Sequence, residues 1–292
     1  MSVSITLTHV IAMAAPYGCA ALGGVWSERS GVVNIALEGM LLVSAFASIA
    51  GQAATGSAWL GLAAGIGAAG AMGLMHAWLV ERAGVADLLS GLGLNLFAMG
   101  MTRIGLSALY GSSSNSPSVA GFGLAIEPTV VLGIVAVVVT QWVLRKTVFG
   151  LHVRACGEAP NAARSCGVNV TRTRILAVTM GGAIVGIGGA ALAFDLRQFQ
   201  SGMTAGRGFV ALALVVVSGW RPGRVAILAL VFALLDWLQI AAQEKLGVFG
   251  FIVQTLPYVA TLVGLAAVRP GRRSFAPKGL GQREDQTDPK LC

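Results

Sequence analysis

Three ionisable residues interrupt long apolar runs in this chain: Glu38, Arg103 and Asp236. Charge inside an apolar segment is costly and is kept where it faces protein or water, so each marks a candidate site for a polar solute, an ion or a proton. Side-chain amides stand close by. Asn34 precedes Glu38 by four residues, which on a helix would put both on one face, and Gln239 follows Asp236 by three. Asn95 lies in a further apolar run. Such groups hydrogen-bond a solute without any covalent step. Counted at about 1.5 Å per residue, Glu38 lies roughly 8 Å and Asn95 roughly 10 Å from one surface, with Arg103 at about 22 Å and Asp236 at about 20 Å. Arg103 and Asp236 are therefore expected to meet at one level and neutralise each other.

Other chemistry finds little support. Cys19, Cys156, Cys166 and Cys292 match no zinc or redox spacing and read as reduced thiols. His9, His76 and His152 are too scattered for a metal cluster. No GxxxxGK[ST] sequence is present, so the chain lacks the backbone nest and lysine that hold ATP phosphates. Neither a metal nor a cofactor is expected on this chain.

The elements that position the polar residues follow from composition. Of 292 residues 55% are hydrophobic and only 11% charged, with a mean hydropathy of +0.78. A soluble domain carries about 25% charge, so a bilayer must supply the missing apolar solvent. The expected fold is an all-α polytopic membrane protein of about nine (8–10) spans. They fall near 5–25, 32–50, 58–80, 88–110, 126–145, 173–194, 206–220, 223–243 and 249–268. No basic region precedes the first span, so no cleavable signal peptide is expected. The second and seventh spans are short and glycine-bounded, as broken or re-entrant helices are. They enter from opposite sides at comparable places in the two halves, which suggests an inverted repeat whose interrupted helices line a pathway. Two ordinary glycine-rich helices are the alternative. The candidate pathway residues are Asn34, Glu38, Asn95, Gly206, Gly208, Asp236 and Gln239.

The net charge of +8 does not point to nucleic acid, because the positives follow the membrane. With the N-terminus outside, about sixteen Lys and Arg fall on the inner side against three on the outer. That bias puts the long loop 146–174 and the C-terminus in the cytoplasm. Residues 1–268 form the membrane domain, and the polar tail 269–292 is expected to be largely disordered. Trp26, Trp142 and Trp220 sit near span ends and suit an interfacial belt.

Within the central loop, Pro160 and Gly167 bracket a helix of about two turns. It is too short to stand alone in water. It is either an amphipathic connector or a rigid knob that a separate motor grips.

The stretch GLHVRACGEAPNAARSCGV at 150–168 resembles the cytoplasmic loop of ABC permeases for simple sugars, nucleosides and branched-chain amino acids. An RA-x-G-x-N-x-x-AA-x-x-x-GI pattern is typical there, from which Ala159-Pro160-Asn161 and Gly167-Val168 depart mildly. ALGGVWSERSGVVNIALEGM at 21–40, and GRGFVALA at 206–213 followed by GWRP at 219–222, resemble the nucleoside-type branch. Order and spacing fit over about 20–265. The resemblance implies one permease subunit of an ATP-driven importer in a bacterial inner membrane. Nucleosides lead as substrate, with simple sugars and branched-chain amino acids open. It implies a second permease subunit, identical or different, a cytosolic ABC ATPase holding ATP and Mg, and an external binding lipoprotein or periplasmic protein. It also implies that Gly157, Glu158, Pro160, Asn161, Ala162, Ala163, Arg164 and Gly167 couple to that ATPase. An ion-coupled secondary transporter using Glu38, Asp195 and Asp236, or a channel, is the alternative. Neither would need the knob.

Overall fold

The computed structural model describes residues 3–124, 127–246, 259, 262, 263, 266 and 276–281. Among the described residues ten helices follow one another: α1 Val3–Ser30, α2 Leu37–Thr55, α3 Ala58–Glu81, α4 Asp87–Tyr110, α5 Pro128–Lys146, α6 Val148–Glu158, α7 Pro160–Ser165, α8 Val170–Leu196, α9 Arg207–Ser218 and α10 Pro222–Leu246. No strand forms among the described residues, apart from a single bridge between Asn115 and Gln200. Seven helices there are long and apolar enough to cross a membrane, against about nine expected. The difference has two sources. The segment expected at 206–220 forms a helix of only 12 residues, about 18 Å long where a hydrocarbon core needs about 30 Å. The segment expected at 249–268 lies outside the described residues except for four isolated helical positions.

Glycine sets the centre of the bundle. Helix α8 packs most extensively against α3 and α1, then against α2. In its middle turns Gly181 faces α1 and Gly182 faces α3, and a Cβ on either would stand 2.7 Å from the carbonyl oxygen of Gly23 or Ala69. Without that atom the backbones close up, and in lipid such contact is what holds helices together. Helix α1 is mostly buried, whereas α4 and α10 expose most of their surface. Leu88, Leu92, Leu96, Phe97 and Ile104 of α4 point outward.

The helix ends sort the molecule into two faces. On one lie the end of α1, the start of α4 and the end of α3, joined by Val33 N to Asp87 at 2.8 Å and by Arg174 to Glu81 at 2.9 Å. Helices α6 and α7 lie on this face too. Helix α6 was not legible beforehand, since the loop 146–174 reads as polar around the one short helix. Its start is capped by Thr147, whose Oγ1 accepts from Gly150 N at 3.1 Å. Asn169 caps α8 in the same way, accepting from Arg172 N at 2.9 Å. On the opposite face, 114–119 runs beside 197–201, with Val119 N donating to Arg197 O at 2.8 Å and Ser201 N to Ser114 O at 2.8 Å.

Two tryptophans expected in an interfacial belt are inside the protein. Trp26 is buried, donates to Thr140 Oγ1 at 3.0 Å and stacks on Phe149. Trp220 is buried and donates to Glu28. Helix α1 runs on to Ser30, past the polar residues that seemed to end the first span, because protein rather than headgroups surrounds them. Trp142 is exposed.

Candidate functional site

Three of the polar residues picked out from the sequence, Asn34, Glu38 and Asn95, meet at an interruption between α1 and α2. Helix α1 stops in a Schellman turn: Gly31 adopts φ 101, Gly31 N bonds Glu28 O at 3.0 Å and Val32 N bonds Ser27 O at 3.2 Å. Residues 32–34 are then non-helical, 35–36 form a turn, and α2 begins only at Leu37. Irregular backbone in an apolar setting must have its donors and acceptors met, and here side chains meet them. Asp87 accepts from Val33 N. His76 Nε2 lies 3.1 Å from Val33 O, so this nitrogen carries the proton, and Nδ1 accepts from Ser90 Oγ at 2.9 Å. Asn95 Nδ2 donates to Ile35 O at 3.0 Å while its Oδ1 accepts from Gly39 N at 2.8 Å. Asn34 is fully buried. Its Oδ1 accepts from Ala36 N at 3.0 Å and its Nδ2 donates to Ser27 Oγ at 3.1 Å.

Asn34 and Glu38 therefore do not share a helix face. The i, i+4 argument presumes a continuous helix, and Asn34 lies in the non-helical stretch before it. Glu38 turns to α9 instead. Its two oxygens accept from Gly206 N at 2.8 Å and Gly208 N at 2.6 Å. Gly208 lies directly against the Glu38 backbone, leaving no room for a side chain. A carboxylate at this point meets the positive end of the α9 dipole. The other end of α9 is matched as well, since Arg29 Nε and Nη2 both donate to Trp220 O at 3.2 Å. Thus both ends of the half-length helix are held from the single stretch 28–38.

Beside the start of α9 stands a second polar group. Tyr17 Oη donates to Asp236 Oδ2 at 2.6 Å, Arg207 Nη2 lies 3.9 Å from the same oxygen, and the Arg207 guanidinium stands over the Tyr17 ring at 5.8 Å. The expected Arg103–Asp236 pair does not form. Arg103 instead donates to Ser201 Oγ at 3.2 Å. Depth along a span fixes level but not direction: α4 packs on α2 and α3, whereas α10 packs on α1, α9 and α5. Gln239 lies one turn beyond Asp236 and is half-buried.

The short helix α7 is built from its own ends. Pro160 occupies its first turn. Gly167 at φ 83 closes it, with Val168 N bonding Ala163 O at 3.0 Å. Ala163 is buried against Cys156 and Val170, and burial pushes the Cys156 thiol up, so it serves as an apolar packing group. Asn161, Ala162, Arg164 and Glu158 face outward. Gly157 sits against the backbone at Arg29 and Gly31 too closely for any side chain. Arg174 ties the same places together. Its Nε donates to Ser30 O at 3.0 Å and its Nη2 reaches Cys156 O at 3.5 Å. Its pairing with Glu81 is almost completely buried, at 4% and 5% side-chain exposure. Arg174 lies at the end of the loop expected at 146–174, and Glu81 and Asp87 lie just outside the spans expected at 58–80 and 88–110. Nothing in spacing reveals that the Arg174–Glu81 pair is buried; only its position at span ends beside a broken helix could have hinted at it.

Known proteins share this sequence over most of its length. A guanosine ABC transporter permease, NupQ of Bacillus subtilis, is 33% identical over 95% of this chain and 95% of its own. A nucleoside ABC transporter permease, NupC of Lactococcus lactis, is 29% identical over 96% of each. A candidate glucose ABC transporter permease, TsgC13 of Haloferax volcanii, is 34% identical over 85% of this chain and 86% of its own. The family described as branched-chain amino acid transport system / permease component matches residues 6–265, and this multi-pass membrane protein belongs to that family.

Proposed function

We propose that this chain is the membrane-spanning subunit of an ATP-driven ABC importer for nucleosides, sitting in a bacterial inner membrane with α6, α7 and the C-terminus in the cytoplasm. A second permease subunit, a cytosolic ATPase that binds ATP and Mg, and an external binding protein complete the assembly. The chain itself hydrolyses nothing. The observation that carries this reading is α7: a six-residue helix with an outward polar face, backed through Gly157 and Arg174 onto the point where α1 stops. Such a knob has no use in a channel, and it suits a grip through which a motor moves membrane helices. The substrate class rests on the relatives named for guanosine and nucleosides, and glucose is the competing class.

The passage runs along the start of α9, where Asn34, Glu38, Asn95, Gly206 and Gly208 fix the backbone and Asp236 and Gln239 offer polar atoms beside it. Replacing Ala162, Ala163 and Arg164 together by glutamate is expected to abolish co-purification with the ATPase and ATP-dependent nucleoside uptake. Uptake by the single chain in vesicles, driven by an ion gradient without ATP, would overturn the reading in favour of an ion-coupled carrier.

A further inference from the structure

Six residues of the C-terminal tail, 276–281, end in a turn seated between the foot of α7 and the stretch where α1 stops. Gly279 N donates to Gly157 O at 2.7 Å and Gly281 N donates to Gly31 O at 2.9 Å. Lys278 N lies 3.4 Å from Glu158 Oε2. Pro277 and Gly279 are buried, and Ala276 lies against the main apolar core. A Cβ on Gly279 would stand 2.9 Å from both Gly157 O and Pro160 Cδ.

These bonds are not needed to form α7, which is capped by its own chain. What they add is a second link between the same two places. Arg174 joins Ser30 O to Cys156 O, and the tail turn joins Gly31 O to Gly157 O, one residue further on in each segment. One link lets two bodies pivot about it; two links side by side stop the rotation. We infer that the 276–281 turn is a strap that fixes the foot of α7 to the end of α1, so that a push on α7 reaches the 31–36 interruption instead of being lost in a pivot. This rests on the reading of α7 as the motor's grip.

The strap is tested in two ways, and only the second needs the motor. In the full-length chain in lipid nanodiscs, amide exchange at Gly281 is expected to be about tenfold slower than in a Gly279→Val variant. Equal rates would overturn the strap whether or not an ATPase binds. In proteoliposomes with the ATPase, Gly279→Val is expected to keep ATP hydrolysis while nucleoside uptake per ATP falls at least about fivefold. Unchanged uptake per ATP would overturn the strap as a transmission element. Removal of 276–292 serves as the second variant where valine at 279 prevents folding; it takes away Gly281 itself, so it is read by uptake per ATP alone, with the same expected fall. A wild-type chain that binds no ATPase would sink the motor reading, and the exchange measurement would still decide the strap.

Discussion

Among the described residues two stretches, 31–36 and 199–206, interrupt the helices on either side of the α9 contacts, and the two interruptions are built differently. The first is bonded by other parts of the protein: Asp87 and Asn95 from α4, His76 from α3, Ser27 from α1. The second is anchored over 199–201, where Phe199 N donates to Ser116 Oγ at 2.9 Å, Ser201 N to Ser114 O at 2.8 Å and Arg103 to Ser201 Oγ at 3.2 Å, and then bonds chiefly to itself. Met203 N donates to Gln200 O, Ala205 N to Gly202 O and Arg207 N to Thr204 O, all within 3.1 Å. Glu38 is the bridge between the two. A segment whose polar groups are met by many neighbours must break many bonds to move, while one that satisfies itself can shift as a unit. On this count the first interruption is expected to act as a fixed node and the second, beyond its anchor at 199–201, as the part freer to move, joined to the node through the carboxylate of Glu38.

If that contrast is right, damage at the node should be the most costly. Arg174→Met would strip the partner from Glu81 in a nearly dry site and release Ser30 O. Removing one half of a buried pair costs about 3–5 kcal/mol, whereas replacing both halves by apolar residues is often close to neutral. The expected outcome is a large fall in denaturant resistance of the purified chain for Arg174→Met. Much of that fall should be recovered in Arg174→Met with Glu81→Met. A single variant as stable as wild type would mean that the node is not braced by this pair.

At the bridge the effect should be smaller and local. Glu38→Gln keeps one acceptor for the α9 amides, loses the charge at the helix start, and presents a donor where an acceptor stood. A cost of about 1–2 kcal/mol follows. It should show as faster amide exchange at Gly206 and Gly208 with no change at Val33 and Ala36. Equal acceleration at all four would mean that the two interruptions open as one body, and the comparison would fail.

The sequence carried the coarse plan because hydropathy is a property of whole segments. Spans at 58–80 and 88–110 match α3 and α4 within a residue at each end. It carried the glycine-bounded breaks too, and the short helix at Pro160, since proline and glycine act on the backbone where they stand. What it could not carry is direction around a helix axis. Arg103 and Asp236 share a level and face different neighbours, and Arg174 gives no sign in the sequence of being buried. Apart from Asn34, residues 32–36 are apolar and read the same in either conformation, so the start of α2 was misplaced by five residues. Asn34 and Glu38 both stand at a break, yet the geometry joins each to a different partner.

The smallest effect probes how each interruption tolerates a left-handed residue. At the node Gly31 stands at φ 101, with Arg174 Nη2 2.7 Å from the place a Cβ would take, so no side chain fits. In the movable segment Ala205 already carries a Cβ at φ 46 and is exposed. A left-handed L-residue costs about 1–2 kcal/mol, and the greater freedom of glycine in the unfolded chain returns about 0.5–1 kcal/mol of that gain. Ala205→Gly should therefore raise stability by about 0.5 kcal/mol, read as a slightly higher denaturant midpoint. A loss above about 1 kcal/mol would instead mean that the alanine methyl is held by contacts. The segment at 199–206 would then be braced along its length as the node is, and the contrast between a fixed part and a freer one would be lost.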